Sequence, residues 1–410
     1  MDVMYAQVEQ GNAVQDYPPF RPCLRLVGID EPAFMSQAFN GTLGCRTHFI
    51  DIAWSYFYTL LASGAMHEPF PFGCAAWTRF PASLLDEWPD QLWIRIVYNR
   101  ASTATGAYYY EIFANEDQIN IAIESLRFQV GAAVTPPPLA PTGPSASRSQ
   151  SFKLSAFHVG QGMCALLYGQ RDGFLLDCGG GIPLKRSIYR QWLKAPASLS
   201  FRNDLRTRTK GLSLQAIISH PDSDHWRLLD WDPALFAATT DIFTPVGTAA
   251  LALKSSRAIA KVSSLAGSTV VTNGPRGTTL LKAHRSNPAV SDRNGECLVV
   301  ETHSGRSGKE ISLFPGDYVY DRMASDGGAG IVALSSSILD AVMVPHHGDA
   351  ASAAVSVLPK VPGTTAAFFS AGTHTGYRHP TRASLNAHSA TGFRNIDKHT
   401  CSDIVECPLP

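Results

Sequence analysis

The chain of 410 residues is long enough for more than one domain, and it carries 34 Lys and Arg against 34 Asp and Glu. This balanced charge excludes a global attraction to nucleic acid or to an acidic membrane, so any such affinity requires a local patch. No run of about 18 apolar residues occurs, the start Met1–Gly11 lacks the features of a signal peptide, and the scattered cysteines form no CxxC pair, so a cytoplasmic protein with reduced thiols is expected.

The first region, residues 1–133, is rich in aromatic side chains and is predicted to form the smaller, α+β domain. Its predicted elements are two strands and a helix: Leu92–Tyr98, Ala107–Phe113 and Glu116–Val130. His48 and Asp51 lie close together in sequence, but an isolated pair of this kind is most often a satisfied polar pair. The sequence leaves open whether this region binds a protein partner or a substrate, or forms a dimer surface.

Residues 134–150 mark the clearest domain boundary. The segment Thr135–Gln150 contains five prolines followed by small polar residues, a composition that forms no packed core. It is therefore predicted to be a semi-extended linker. The second domain, residues 151–410, is expected to carry the chemistry.

The second domain opens with short strands and a basic stretch. A strand predicted at 174–176 ends in Asp177, which either orients a neighbouring site or is a plain turn aspartate. The following stretch Lys185–Lys210 carries eight basic residues against the single acid Asp204, with Tyr189 and Trp192 interleaved. Such a stretch is a candidate to bind a nucleic-acid backbone, and a solvated helical face is an equally weighted alternative. A further helix is predicted over Ala249–Leu265.

Four potential metal ligands follow the apolar strand Ala216–Ile218. They are His220, Asp222, Asp224 and His225. Side chains two residues apart on an extended backbone lie on the same side, so the first three can converge while the fourth reaches an adjacent position. Imidazole and carboxylate are ligands that divalent Zn or Mn accepts, and two such ions roughly 3.5–4 Å apart can activate a water.

Two later strands also end in polar, ligand-type residues. A hairpin over residues 297–314 ends in Pro315-Gly316-Asp317, which its geometry returns to the neighbourhood of Asn294. The strand Ala341–Val344 ends in the pair His346 and His347. His284 and His303 are rival ligand candidates that the sequence favours less.

The segment His220-Pro221-Asp222-Ser223-Asp224-His225 resembles the metal motif of the metallo-β-lactamase superfamily, which usually reads His-x-His-x-Asp-His. The aspartate in the third position resembles the ComEC-type branch, named for a competence protein. Residues 152–390 contain five matching segments in the right order, the last of them Tyr377-Arg378-His379-Pro380. The resemblance implies a four-layer αββα sandwich with a site for two divalent ions, Zn or Mn.

The resemblance also implies roles for individual residues. The first ion is expected to be bound by His220 and Asp222. The second is expected to be bound by Asp224, His225 and one of His346 or His347, with a slight preference for His346. Asp317 is expected to bridge both ions. Asn294 is expected as a weak ligand or a substrate contact. Asp224 is also expected to position the hydroxide, and His379 to protonate a leaving oxygen or bind phosphate with help from Tyr377 and Arg378.

The expected function is a metal-dependent hydrolase, most plausibly a phosphodiesterase or nuclease that uses a hydroxide held by two metal ions. Two alternatives stay open on the sequence. One is a hydrolase of a non-phosphate ester such as a lactone or thioester, and the other is a binding or effector module with a vestigial metal site.

Overall fold

The computed structural model describes residues 1–65, 89–144, 151–194, 203–267, 269–273, 279–289, 294–304, 310–372, 377–397 and 403–410. The chain divides into two compact units. Unit 1 consists of Met1–Pro136 with Ala249–Ala260, and unit 2 consists of Pro137–Thr248 with Lys261–Pro410. The division between Pro136 and Pro137 falls inside the predicted linker, residues 134–150. Ala249–Ala260 joins unit 1, which the sequence did not indicate. Within the described ranges, no helix is both long and apolar enough to cross a membrane.

Unit 1 contains a closed barrel of six strands, paired in the order β1-β2-β3-β5-β6-β4. The strands are β1 (Asp2–Val14), β2 (Pro22–Asp30), β3 (His48–Ala53), β4 (Leu92–Arg100), β5 (Ala107–Glu111) and β6 (Ile119–Val130). Its short helices are Glu31–Met35, Ala38–Asn40, Trp54–Ala62 and Leu251–Lys254. Alternate apolar residues fill the barrel interior, including Ile50 and Ile52 from β3. Barrel closure was not predicted.

The helix predicted over Glu116–Val130 is wrong, because most of this segment is strand β6. Ile119, Ile121 and Ile123 recur at every second residue and face the barrel core, which is the period of a strand. The segment pairs along its length with β4, and this pairing satisfies its backbone groups in place of helical hydrogen bonds.

The helix predicted over Ala249–Leu265 is also wrong. The segment forms the short turns Leu251–Lys254 and Ile259–Lys261, followed by strand β12 (Val262–Leu265). Cys45 accounts for the interruption, since its backbone N–H donates to the Lys254 carbonyl and its own carbonyl accepts from Ser256. These bonds occupy backbone groups that a continuous helix would need.

Unit 2 is built on two seven-stranded sheets, which confirms the mixed α/β class. The first sheet has the order β12-β11-β10-β9-β8-β7-β22. Besides β12 it contains β7 (Lys153–His158), β8 (Cys164–Tyr168), β9 (Asp172–Cys178), β10 (Ser213–Ile217), β11 (Thr239–Pro245) and β22 (Val405–Leu409). The associated helices are Arg186–Leu193, Asp204–Thr209, Arg227–Trp231 and Pro233–Ala238.

The second sheet has the order β13-β14-β15-β16-β18-β20-β21. It contains β13 (Thr269–Asn273), β14 (Thr279–Arg285), β15 (Leu298–Ser304), β16 (Glu310–Phe314), β18 (Ala341–Met343), β20 (Ala366–Phe368) and β21 (Arg394–Ile396), and a separate pair is formed by β17 (Ile338–Leu339) and β19 (Leu358–Pro359). The remaining helices are Tyr320–Ala324, Ala329–Leu334 and Arg382–Thr391, and the short turns are Ser223–His225, Pro345–Gly348 and Ala351–Ala353. One apolar cluster draws side chains from both sheets, so the sheets pack face to face.

A buried ion network in unit 1 ties the chain after β1 to the barrel wall. Arg25 forms a two-pronged contact with Asp51, with both N–O distances 2.7 Å, and its Nη2 lies 3.1 Å from Asp16. The hydroxyl of Tyr108 donates to Asp51 and that of Tyr110 donates to Asp16, each at 2.6 Å. Asp51 thus has a structural role, which agrees with the expectation that it is a satisfied polar residue.

Substituting Asp51→Asn should lower the free energy of unfolding by about 3–5 kcal/mol, because it removes the charged partner of the two-pronged contact with the buried Arg25 guanidinium and leaves Asp16 as the remaining acidic partner. Urea denaturation followed by circular dichroism measures the change. Asp2→Asn is the control, since its 4.0 Å pair with Arg100 is more than half exposed and should contribute less than about 1 kcal/mol. Equal losses in the two variants would contradict this account.

Candidate metal centre

The loop after β10 is held in place by the carboxylate of Asp177 at the end of β9. Strands β9 and β10 are parallel neighbours, so their carboxyl ends lie together. Asp177 accepts from the backbone N–H of Ser219 at 2.6 Å and from the Ser219 hydroxyl at 2.9 Å. Beyond Ser219 the chain makes a short turn over Ser223–His225, which the Trp226 indole fixes by donating to the Pro221 carbonyl at 2.8 Å. The plain-turn alternative for Asp177 therefore does not describe its contacts.

Four histidines of unit 2 each have the Nδ1 atom engaged by an outer partner. Nδ1 of His220 contacts the Ser219 hydroxyl at 3.2 Å, and Nδ1 of His225 contacts Asp177 at 2.9 Å. In His346 the partner is the carboxylate of Asp349 at 3.1 Å, and in His347 it is the backbone carbonyl of Ser370 at 2.8 Å. The opposite ring nitrogen, Nε2, is left to point inward in every case.

The four Nε2 atoms surround the carboxylate of Asp317. Oδ1 lies 3.3 Å from His225 and 3.9 Å from His347. Oδ2 lies 3.7 Å from His220 and 3.5 Å from His346. Each oxygen of this one carboxylate thus faces two imidazoles.

Backbone geometry brings these side chains together. Gly316 has φ +60°, and a Cβ on it would lie 2.3 Å from the Cβ of Ser219, so the turn before Asp317 requires glycine. The N–H of His346 donates to the Gly316 carbonyl at 3.1 Å. His346 and His347 both adopt left-handed conformations, with φ +47° and φ +54°, which is unusual for residues other than glycine.

The donor set fits divalent metal ions. The cluster contains two groups of three residues, and within each group the ligand atoms all lie within 4.8 Å of one another. The first group is His220, His225 and Asp317, and the second is Asp224, His225 and His347. Nε2 of His220, His225 and His347 and Oδ1 of Asp317 are buried and have no hydrogen-bond partner within the described part of the chain. Buried polar atoms of this kind normally have partners, and imidazole with carboxylate is a set that Zn or Mn accepts.

The grouping differs in detail from the expected division of ligands. His225 belongs to both groups, and the second group contains His347, so the geometry favours His347 over the slightly preferred His346. Asp222 lies at the margin, with Oδ2 3.5 Å from Nε2 of His220, and about a quarter of its side chain is exposed.

The shifted pKa values of the cluster indicate that positive charge near Asp317 is stabilising. Burial raises the pKa of Asp317, but His346, His225 and His220 lower it more, so its pKa lies well below the ordinary value. Burial lowers the pKa of His346, but Asp317 and Asp349 raise it more, to about 9. A bound cation can supply this positive charge when the imidazoles are neutral.

The last predicted segment lies beside the cluster. The ring centroid of His379 is 5.8 Å from that of His346 and 6.4 Å from that of His347, and Tyr377 stacks on it at 5.8 Å. Burial, followed by His347 and His346, lowers the pKa of His379 to about 4, so its ring is neutral at pH 7. The two expected roles of His379, protonation of a leaving oxygen and a contact to phosphate, both stay predictions. Arg378 is adjacent in the chain, with φ +56°.

The backbone carbonyl of Asn294 accepts from the Cys297 thiol at 3.2 Å, and its role as a weak ligand or substrate contact stays a prediction. The rival candidates His284 and His303 contact Glu301 instead, at 2.8 Å and 3.2 Å. Sequence reasoning missed Ser219, Asp349 and Ser370, the other outer partners of the four histidines. A serine or a backbone carbonyl in this role has no sequence signature.

The basic stretch Lys185–Lys210 is partly neutralised from within unit 2; its residues 195–202 lie outside the described ranges. Three of its arginines contact acidic side chains, at N–O distances of 3.3, 3.6 and 2.6 Å: Arg186 with Asp230, Arg206 with Asp232, and Arg208 with Glu406. Arg186 and Asp230 have fully buried side chains. The buried Arg186 has a structural role, and the pairing of all three arginines with acids reduces the charge that the stretch can offer to a ligand.

Comparison with known proteins assigns no family to the chain. No protein-family model matches it, and no curated protein matches it. The solved structures that are similar include the metallo-β-lactamase fold protein YhfI from Bacillus subtilis, with 11% identity over 63% of this chain and 100% of that chain and a TM-score of 0.33. A mutant of CmlA β-hydroxylase shares 12% identity over 62% of this chain and 54% of that chain, with a TM-score of 0.32. A protein of unknown function from Enterococcus faecalis V583 shares 11% identity over 47% and 49%, with a TM-score of 0.28. These TM-scores are too low for the likeness to assign a fold or a function.

Substituting Asp177→Ala should weaken binding of Zn²⁺ or Mn²⁺ by about 10–100-fold, because it removes the group that orients His225 and the Ser219 loop. Isothermal titration calorimetry on chelator-treated protein measures the affinity. Asp241→Asn, on β11, is the matched control and should bind as the parent does. Unchanged affinity in a folded Asp177→Ala variant would contradict the positioning role.

Proposed function

We propose that unit 2 is a metal-dependent hydrolase of the metallo-β-lactamase type, with the four-layer αββα arrangement that the sequence motif implies. The observation that carries the proposal is the convergence of four anchored imidazoles on one buried carboxylate. Helices of unit 2 on the outer face of the second sheet support the arrangement, since their side chains share an apolar cluster with that sheet.

The chain's own residues would divide the work as follows. His220, His225, His347, Asp224 and Asp317 hold the ions, and Asp177 and Ser370 keep the imidazoles oriented. When bound, such ions activate a water and neutralise negative charge on substrate oxygens. The accessible edge of the cluster is formed by Asp222, Asp224 and His346, whose side chains are about a quarter to a third exposed, so substrate would approach there.

We propose a phosphodiester of nucleic acid as the substrate. A doubly cationic centre compensates the charge of a phosphodiester better than that of a neutral ester. His379, neutral and beside His346, would contact the substrate, and its Nδ1 has no hydrogen-bond partner within the described ranges. The exposed lysines Lys194 and Lys210 of the stretch Lys185–Lys210 are the candidate contacts for the backbone.

Hydrolysis of bis-(p-nitrophenyl) phosphate and of single- and double-stranded DNA, with added Mn²⁺ or Zn²⁺, tests the proposal. Activity should disappear with EDTA, return with the metal, and be absent from the Asp224→Ala/His225→Ala double variant. His303→Gln is the control, because this histidine contacts Glu301 and should leave the activity intact. Cleavage that is equal in the double variant and the parent would refute the enzyme.

Two other outcomes would select the alternatives. Hydrolysis of chromogenic lactones or thioesters without phosphodiester cleavage would indicate the ester hydrolase. Purified protein that retains no divalent ion after reconstitution, by metal analysis, would indicate a binding module.

Substituting His379→Gln should raise KM by about tenfold, because it replaces a hydrogen-bonding contact to substrate and leaves the proposed metal ligands in place. Steady-state kinetics with bis-(p-nitrophenyl) phosphate separates KM from kcat, and metal content checks that the centre is intact. A loss confined to kcat would contradict the binding role.

A further inference from the structure

A polar cavity of about 450 Å³ lies at one end of the barrel in unit 1. Successive residues of a strand face opposite sides, so the inward positions on β3 are His48, Ile50 and Ile52. The two isoleucines belong to the apolar core, and His48 stands at the level where the interior becomes polar. The volume lies within the range of small-ligand pockets.

His48 presents a hydrogen-bond acceptor that nothing in the described part of the chain satisfies. Its side chain is nearly fully buried, and it packs edge-on against Tyr109 with ring centroids 5.3 Å apart. One ring nitrogen bonds to the backbone of Gly28, whereas Nδ1 is buried without a hydrogen-bond partner. Burial lowers the pKa of His48 to about 4, so the ring is neutral at pH 7. A neutral ring that donates from one nitrogen offers a lone pair on the other.

The charge around the cavity is predominantly negative. Two guanidinium groups line it against six carboxylates: Asp2, Asp30, Glu31, Glu111, Glu116 and Asp117. Glu111 is engaged by Arg46 and Arg257, Asp2 lies 4.0 Å from Arg100, and Glu31 lies 3.9 Å from Arg95. Both lining arginines thus already face acidic partners, and the lining carboxylates still outnumber the lining guanidinium groups. The rings of Tyr98 and Tyr109 add aromatic surface, which favours a cation over an anion.

We propose that this cavity binds a small organic cation with a primary ammonium or guanidinium group, whose N–H donates to Nδ1 of His48 while the carboxylates at the rim compensate its charge. A metal ion fits less well, because neither group of close-set ligand atoms found among the described residues lies in unit 1. The proposal concerns unit 1 and does not depend on the hydrolase.

Calorimetric titration of the full chain with 1,4-diaminobutane and with agmatine tests the proposal. Saturable binding is expected at ligand concentrations up to about 1 mM. The uncharged analogue 1,4-butanediol should not bind, and binding should weaken as NaCl increases because charge attraction is screened. Failure of both cations to bind, or equal binding of the diol, would overturn the proposal.

Substitutions locate the ligand within the chain. His48→Phe keeps an aromatic ring against Tyr109 but removes both nitrogens, and it should weaken binding by about tenfold. Glu116→Gln at the rim is a second variant that does not alter the barrel core, and it should weaken binding by about threefold or more. Glu124→Gln, an exposed acid on β6 outside the cavity lining, is the matched control and should bind as the parent does.

Because unit 2 also has an anionic cluster, Asp224→Asn serves as the competing-site control. Unchanged affinity in Asp224→Asn together with weaker binding in Glu116→Gln would support the barrel site, even if His48→Phe fails to fold. Loss of binding in Asp224→Asn, or parental affinity in both cavity variants, would overturn it.

Discussion

Charge compensation around the Asp317 carboxylate is the constraint on which unit 2 depends. A buried carboxylate costs several kcal/mol unless opposite charge or hydrogen bonds offset that cost. Here four imidazole nitrogens face its two oxygens, and the outer nitrogen of each ring is already held by another group. Rotation of a ring to find another hydrogen-bond partner for Nε2 would therefore break the contact of its Nδ1. Added positive charge is the simplest way to stabilise such a set, which is why the cluster resembles a metal centre more than a salt-bridge network.

The cluster of candidate ligands forms where five strand ends meet. Strands β9 and β10 of the first sheet bring Asp177 and the loop after Ser219, while β16, β18 and β20 of the second bring Asp317, the histidine pair and Ser370. Carboxyl ends of parallel strands commonly meet at one edge in this way. Close approach needs small residues: a Cβ on Gly179 would lie 1.6 Å from the carbonyl oxygen of Asp224. The shape of the loops is thus set by backbone contact as much as by ligand chemistry.

Sequence reasoning found the ligand-type residues because metal-binding chemistry needs particular side chains directly after buried strands. It could not find the partners of Nδ1, since hydroxyls and backbone carbonyls that serve this purpose look like any others. The helix prediction over Glu116–Val130 was wrong although Ile119, Ile121 and Ile123 alternate with the period of a strand, and the partner that satisfies this backbone, β4, is not evident from the segment itself. Barrel closure was missed for the same reason, as it depends on β1 pairing with β4. His48 was judged a satisfied polar residue, and only the three-dimensional environment of Nδ1 shows otherwise.

The left-handed backbone at His346 and His347 has a consequence for protein engineering. Two consecutive residues in this conformation store roughly 1–3 kcal/mol each, and glycine would relieve that cost at either position. Selection for thermal stability would thus favour glycine at these two positions, whereas the proposed activity requires histidine. Directed evolution scored by melting temperature alone would tend to discard the imidazoles first, so a thermostabilising campaign on this chain should hold both positions fixed.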